Sequence, residues 1–297
     1  MKEEYFHIPW ETGARRLRNS WIPFVVYSFL YIFLRNLLLQ EGVLEGVPYT
    51  TAETLQILAG ALVLRSPGGL LGTFWFVPVL VLTTAAVLGL MHITESLKHK
   101  EVIRIAAAAC LGIIGIMLNY KEIGLEYHMH TAFLMIPVMF AGYYFKQYEA
   151  SVMRFVHPLI GLLCGVFVYR LQRKMNLYIE LSDFHIMTPL WFYPVIFMGL
   201  YLCLALGRLL LRSKMMKKLF SQMGCYSFDI MALQFLVFKG IDYIYAHMGM
   251  GDMEVLIKFP YAYSELRLLY YMGGVLIPVL IRKGFDAVTT KILLAVK

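Results

Sequence analysis

Four residues that can ionise or hydrogen-bond, Asp229, Gln234, Lys239 and Asp242, stand in one apolar run that opens with QMGCYSFDIMALQFLVFKG (Gln222–Gly240). The run is long enough to cross a bilayer. A charge near the bilayer centre costs at least about 2.5–3.5 kcal/mol, so such groups face water or a partner. Lys239 and Asp242 are three residues apart and share a helical face, where they can pair. Gln234 can hydrogen-bond a neighbouring helix, but an amide offers no lone pair that titrates near neutral pH and cannot be a general base. Asp229, near the other end of the run, suits a helix N-terminus and lies within reach of the basic segment Arg208–Lys218.

A second group is LEYHMH, which holds Glu126, His128 and His130. His130 is the candidate general base, because imidazole changes charge near neutral pH. The i,i+2 spacing of the two histidines turns their rings to different helical faces, and no metal site is expected. Arg35 can stabilise an oxyanion or a phosphate, or it can snorkel to the headgroups. The chain has no Gly-Lys-Ser/Thr phosphate loop, no Gly-x-Ser-x-Gly, no His-Glu-x-x-His and no Cys-x-x-Cys, which disfavours nucleotide hydrolysis and zinc chemistry.

The elements that must carry these groups are membrane helices. Of 297 residues 60% are hydrophobic and 15% charged, against about 25% charged in soluble domains. The expectation is an all-α polytopic bundle, a single integral membrane domain over 1–297, with about eight transmembrane helices. Spans are predicted near Trp21–Leu39, Leu70–Leu90, Val102–Leu118, His130–Phe145, Phe155–Tyr169, Met187–Leu206, Cys225–Tyr245 and Leu266–Ile281. Between the first two, TAETLQILAGALVLRSPGG reads as an interfacial or re-entrant helix closed by Pro67, Gly68 and Gly69. On this layout Arg35, His130 and Lys239 share one depth, which implies a polar cavity opening to the extracytoplasmic side.

Lys2, Arg15, Arg16 and Arg18, then Lys98, Lys100 and Arg104, then Lys146 and Arg154, then the cations of Arg208–Lys218 and of the tail fall on one face, 18 against 8 on the other, where only the run Arg170, Arg173 and Lys174 argues against the bias. Both termini are therefore expected in the cytoplasm, with 1–20 a leading segment, 21–281 the bundle and 282–297 a tail. The net charge of +8 is accounted for by this topology and by anionic lipid, and no nucleic-acid motif is present. Cys110, Cys164, Cys203 and Cys225 read as buried packing thiols. The first span is too long for a signal-peptide core and is expected to stay on the chain.

Four segments in order carry a resemblance: ARRLRNSWIPFVVYSFLYIF (Ala14–Phe33), GTFWFVPVLVLT (Gly72–Thr83), IPVMFAGYYFKQ (Ile136–Gln147) and LFSQMGCYSFDIMALQFLVFK (Leu219–Lys239). Together they resemble the later part of the integral-membrane acyltransferase 3 family, which includes sugar O-acetylases. The third resembles its Pro-x-x-x-x-Gly-Tyr helix and the fourth its Gly-x-x-Ser-x-x-Ile-x-x-x-His helix. The resemblance implies transfer of an acyl group, commonly acetyl, from acetyl-CoA or another acyl-CoA to a hydroxyl of a cell-envelope saccharide, in a bacterial-type plasma (inner) membrane. Within that reaction His130 is the remaining candidate base of this chain and Arg35 the other candidate catalytic group, and Trp75, Glu126, Tyr226, Ser227, Gln234, Lys239 and Asp242 are the candidate substrate-binding residues.

Two departures accompany it. The family's opening helices, with their Arg-x-x-Asp-x-x-Arg-Gly motif and a terminal His, have no counterpart in this sequence, and Gln234 stands where the seventh span usually has His. The chain is therefore expected to be truncated or shortened, and to need a second chain or a missing N-terminal portion that supplies those helices. A transporter or flippase of an envelope intermediate and a noncatalytic membrane scaffold stand as alternatives; the former would be marked by internal symmetry between halves, and none is visible.

Overall fold

The structure is a computed structural model that describes residues 9–65, 68–175, 178–182, 185–186 and 188–295; Lys2, Pro67, Met187 and Lys297, named above, lie outside the described residues. The described chain is all-α apart from one short hairpin. Its helices are α1 (Pro9–Gln40), α2 (Thr51–Leu62), α3 (Phe76–Thr94), α4 (Lys100–Tyr120), α5 (Met129–Gln147), α6 (Glu149–Phe155), α7 (Pro158–Met175), α8 (Phe192–Leu210), α9 (Lys214–Cys225), α10 (Ser227–His247) and α11 (Arg267–Ala295). The hairpin pairs Ile179–Glu180 with His185–Ile186.

Five of these segments are long and apolar enough to cross a membrane singly, and two bent pairs bring the number to seven. The remaining expected span, His130–Phe145, falls in α5, a 19-residue helix that is not among those segments. Phe155–Tyr169 is not straight: α6 and α7 meet at 77°. Pro158 opens α7 and forces the residue before it out of the helical region. Polar groups from α8 cover the break. The Tyr201 hydroxyl accepts from His157 N at 3.0 Å and donates to Phe155 O at 2.9 Å, and Arg208 donates to Met153 O at 3.0 Å and Val156 O at 2.5 Å. Likewise Cys225–Tyr245 opens on a bend of 82° between α9 and α10. The expected interfacial helix is α2, started by a capping box in which Thr50 Oγ1 accepts from Glu53 N and Glu53 Oε2 accepts from Thr50 N.

The chain forms two compact units, Met1–Trp21 with Trp75–Lys217, and Ile22–Phe74 with Lys218–Lys297. In the first, α5 packs on both α3 and α4 around Val87, Met91, Ala108, Ile136 and Phe140. Close approach needs small residues on α4: a Cβ at Gly115 would lie 2.8 Å from Leu134 N. The Tyr193 hydroxyl donates to Leu134 O at 3.1 Å, beside Pro137, where the proline loosens the helix's own ladder.

One end of this unit is clamped by Arg104, only 2% exposed. Its Nε donates to Thr94 Oγ1 at 2.8 Å, Nη1 to Glu101 Oε1 at 2.9 Å, and Nη2 to Met91 O at 2.9 Å and Glu95 Oε2 at 2.7 Å. Tyr144 of α5 donates to Glu101 Oε2 at 2.6 Å. Arg104 thus fastens the C-terminus of α3, whose last carbonyls have no helical partner, to α4 and α5. The sequence had placed it among loop cations.

In the second unit, Phe24, Phe74 and Phe228 stack, and Tyr31 and Thr73 donate to the carbonyls of Ala232 and Met231. Gly273 and Gly274 of α11 let it close on Ile241 and Phe238 of α10. The cysteines correct one expectation: Cys110, Cys203 and Cys225 are exposed and Cys164 is half-buried, so they lie on outer faces, where a small apolar thiol costs little in lipid.

Two outcomes follow for purified protein in detergent. Gly115→Ala, which meets backbone, lowers stability by about 1–3 kcal/mol, whereas Gly199→Ala, with nothing within 4 Å of the added methyl, is neutral or stabilising; equal melting midpoints would contradict the close approach. Hydrogen bonds from Lys100 and then Arg104 hold the Glu95 carboxyl below its usual range. Its contribution is complete above the ordinary value of about 4.3 and is lost as pH falls through the depressed one. Glu95→Gln should flatten the acid limb of the melting profile; an unchanged limb would remove Glu95 from the clamp.

Candidate functional site

His130 sits in the first turn of α5, 5% exposed, at the foot of the α4–α5 connection. That connection is unusual. Glu122, Tyr127 and His128 have φ of 54°, 55° and 55°, a left-handed region that non-glycine residues seldom occupy and that recurs at functional sites. The turn aims Leu125 N at His130 Nδ1, 2.8 Å away. The His128 ring lies 5.9 Å from Trp75 and 5.7 Å from His130, centroid to centroid, while Glu126 is exposed. Among the described residues no group of three metal-ligating side chains occurs, here or elsewhere.

This hydrogen bond decides what His130 can do. A backbone N–H only donates, so Nδ1 accepts, and the neutral ring carries its proton on Nε2. A base working through Nε2 needs a lone pair there. The arrangement instead leaves the proton on Nε2, an atom enclosed by the protein, and an N–H of this kind can stabilise developing negative charge.

Arg35, Gln234, Lys239, Asp242, Tyr226 and Ser227 belong to the second unit, and Trp75, Glu126 and His130 to the first. Arg35 Nη1 donates to Val47 O at 2.8 Å, its guanidinium lies 3.8 Å over the Tyr49 ring, and Asn36 Oδ1 accepts from Tyr49 N at 3.2 Å. Arg35 thus gathers the connection leading into α2. Gly46 is needed there, because its φ of 127° is a conformation that residues with a Cβ rarely adopt.

Lys239 and Asp242 are fully buried, with 4.0 Å between Nζ and Oδ2. Lys239 donates to Leu256 O at 2.5 Å and to Lys258 O. Asp242 Oδ2 accepts from Ala262 N at 3.0 Å and Oδ1 from the Tyr270 hydroxyl, which in turn accepts from Tyr263 N at 3.3 Å. The pair expected from the i,i+3 spacing is present, and its further bonds go to the connection between α10 and α11 and to Tyr270 of α11.

Gln234 is half-buried on the same helix, and Ser227 is exposed at the helix's start. Asp229 does not turn to the basic segment. It accepts from the Tyr27 hydroxyl at 2.6 Å and lies 4.0 Å from Arg282, which bonds Asp286 at 3.2 Å; Tyr226 stands 3.5 Å from Asp286. Sequence reasoning missed Tyr27, Tyr270 and Arg104. Only the last carried a signal, as a cation three residues after Glu101 on one helix.

A family model described as an acyltransferase domain, that of the acyltransferase 3 family, matches residues 10–283. No curated protein and no solved structure matches the chain.

The buried pair gives a sharp expectation. Lys239→Met strands a carboxylate and costs about 3–5 kcal/mol, while adding Asp242→Leu recovers much of the loss. Melting midpoints, with proteolysis of segment 248–266 as a local probe, check this. Additive effects of the two changes would mean that the residues do not act as a pair.

Proposed function

Because the chain belongs to the acyltransferase 3 family of membrane proteins, we propose that it transfers an acyl group, acetyl foremost, from acyl-CoA to a hydroxyl of a cell-envelope saccharide. The observation that carries the reading is the family match over nearly the whole chain. The buried Nε2–H of His130 supplies a chemical role consistent with it.

In such a transfer the acceptor oxygen forms a bond to the thioester carbon, and the carbonyl electrons move to oxygen. Collapse then breaks the carbon–sulfur bond, and the coenzyme leaves as a thiolate that takes up the acceptor's proton. A donor held in a water-poor site stabilises the oxyanion best, and losing one costs about 10²–10³ in rate. His130 fills that role through Nε2. Neither this tautomer nor the amide of Gln234 can accept the hydroxyl proton, so the base comes from another residue, in this reading from a second chain that completes the site. Arg35 is tied to the connection before α2 and orders it.

Membranes carrying the chain, alone and with candidate partner chains, should move label from labelled acetyl-CoA to envelope saccharides. No transfer in any combination would defeat the acyl-transfer reading. Glutamine at 130 places an amide N–H near the Nε2 position and asparagine near Nδ1. His130→Gln should therefore keep activity within about tenfold, while His130→Asn and His130→Ala fall by about 10²–10³; the reverse order would reject the donor role.

A further inference from the structure

Helix α9 is set apart from the other described helices. It spans Lys214–Cys225, contains no buried residue, and is turned 82° from α10. At 3.6 residues per turn, Met215, Met216, Leu219, Phe220 and Met223 share one side, and Lys214, Lys217, Lys218 and Ser221 take the other. Apolar and polar residues segregate more fully here than in the longer described helices.

The three lysines are exposed, and among the described residues no carboxylate pairs with them. The apolar side is only partly covered: Met215 is 70% exposed and Phe220 41%, while Met216, Leu219 and Met223 are half-buried. The helix is held at its far end, where Gln222 Oε1 accepts from Lys283 Nζ of α11 at 2.7 Å. Twelve residues span about 18 Å, too short to cross a bilayer. A strongly two-faced helix with a fully exposed lysine side and a partly exposed apolar side fits the boundary between acyl chains and headgroups.

We propose that α9 lies in the plane of one leaflet and is an anionic-phospholipid binding surface, its Met/Leu/Phe side in the acyl zone and Lys214, Lys217 and Lys218 on lipid phosphates. Charge complementarity selects the occupant: three unpaired cations in a row favour phosphatidylglycerol-like headgroups over zwitterionic ones. The sharp bend at Tyr226 follows, since α10 crosses the bilayer and α9 runs along it. The proposal is independent of the acyl-transfer reading.

The full chain, purified in uncharged detergent, is titrated with phosphatidylglycerol or phosphatidylcholine, with retained lipid counted by native mass spectrometry and melting midpoints recorded. Phosphatidylglycerol should bind preferentially and raise the midpoint, and the preference should weaken with salt. Lys214→Gln/Lys217→Gln/Lys218→Gln should reduce phosphatidylglycerol affinity by about fivefold per lysine, whereas the same positions changed to Arg should retain it. A charge-matched control, Arg170→Gln/Arg173→Gln/Lys174→Gln, should keep the preference. Equal loss in both triple variants, no preference in the unaltered chain, or displacement of the lipid by soluble coenzyme A would each overturn the proposal.

Discussion

Within hydrocarbon a polar group has no water to turn to, so each must be met by another part of the protein. This constraint organises the structure. Where the chain breaks helix between α6 and α7, Tyr201 and Arg208 take up the exposed backbone groups. Where ionisable side chains sit in the helices, they reach out to the connections. Lys239 and Asp242 hold the α10–α11 connection, Arg35 the one before α2, and His130 receives the backbone of the α4–α5 turn.

The same constraint narrows the chemistry. A histidine buried in a membrane helix is neutral far more cheaply than charged, and its tautomer is then set by whichever nitrogen is already engaged. Leu125 engages Nδ1, which leaves an N–H at Nε2. Membership of the acyltransferase 3 family supplies the reaction class in which a buried donor has an evident use, on the oxygen of a tetrahedral intermediate. Gln234 fits the same division of labour, as a residue that bonds without titrating.

Much of the fold was legible because lipid imposes a simple code. Apolar length fixed the helices, and the i,i+3 spacing of Lys239 and Asp242 announced their pair. The bends at His157–Pro158 and Tyr226 were less visible, since periodicity continues across them and only tertiary partners stabilise the break. Arg104 was hidden for a different reason: positive charge at a helix end is ordinarily a topology signal, and only the fold shows it to be buried among Thr94, Glu95 and Glu101. Residue types marked His130 as a candidate. Its role was illegible, because the deciding partner is a backbone amide five residues away in a left-handed turn, and no side-chain pattern encodes that.

The most direct test of this account is the protonation pattern of one ring. With ring-nitrogen-labelled histidine in the full chain in lipid, nitrogen NMR at neutral pH, assigned by loss of the signal in His130→Gln, should show His130 Nδ1 bare and Nε2 protonated. A proton on Nδ1, or on both nitrogens, would mean that the α4–α5 turn does not set the tautomer and that His130 is not the donor described here.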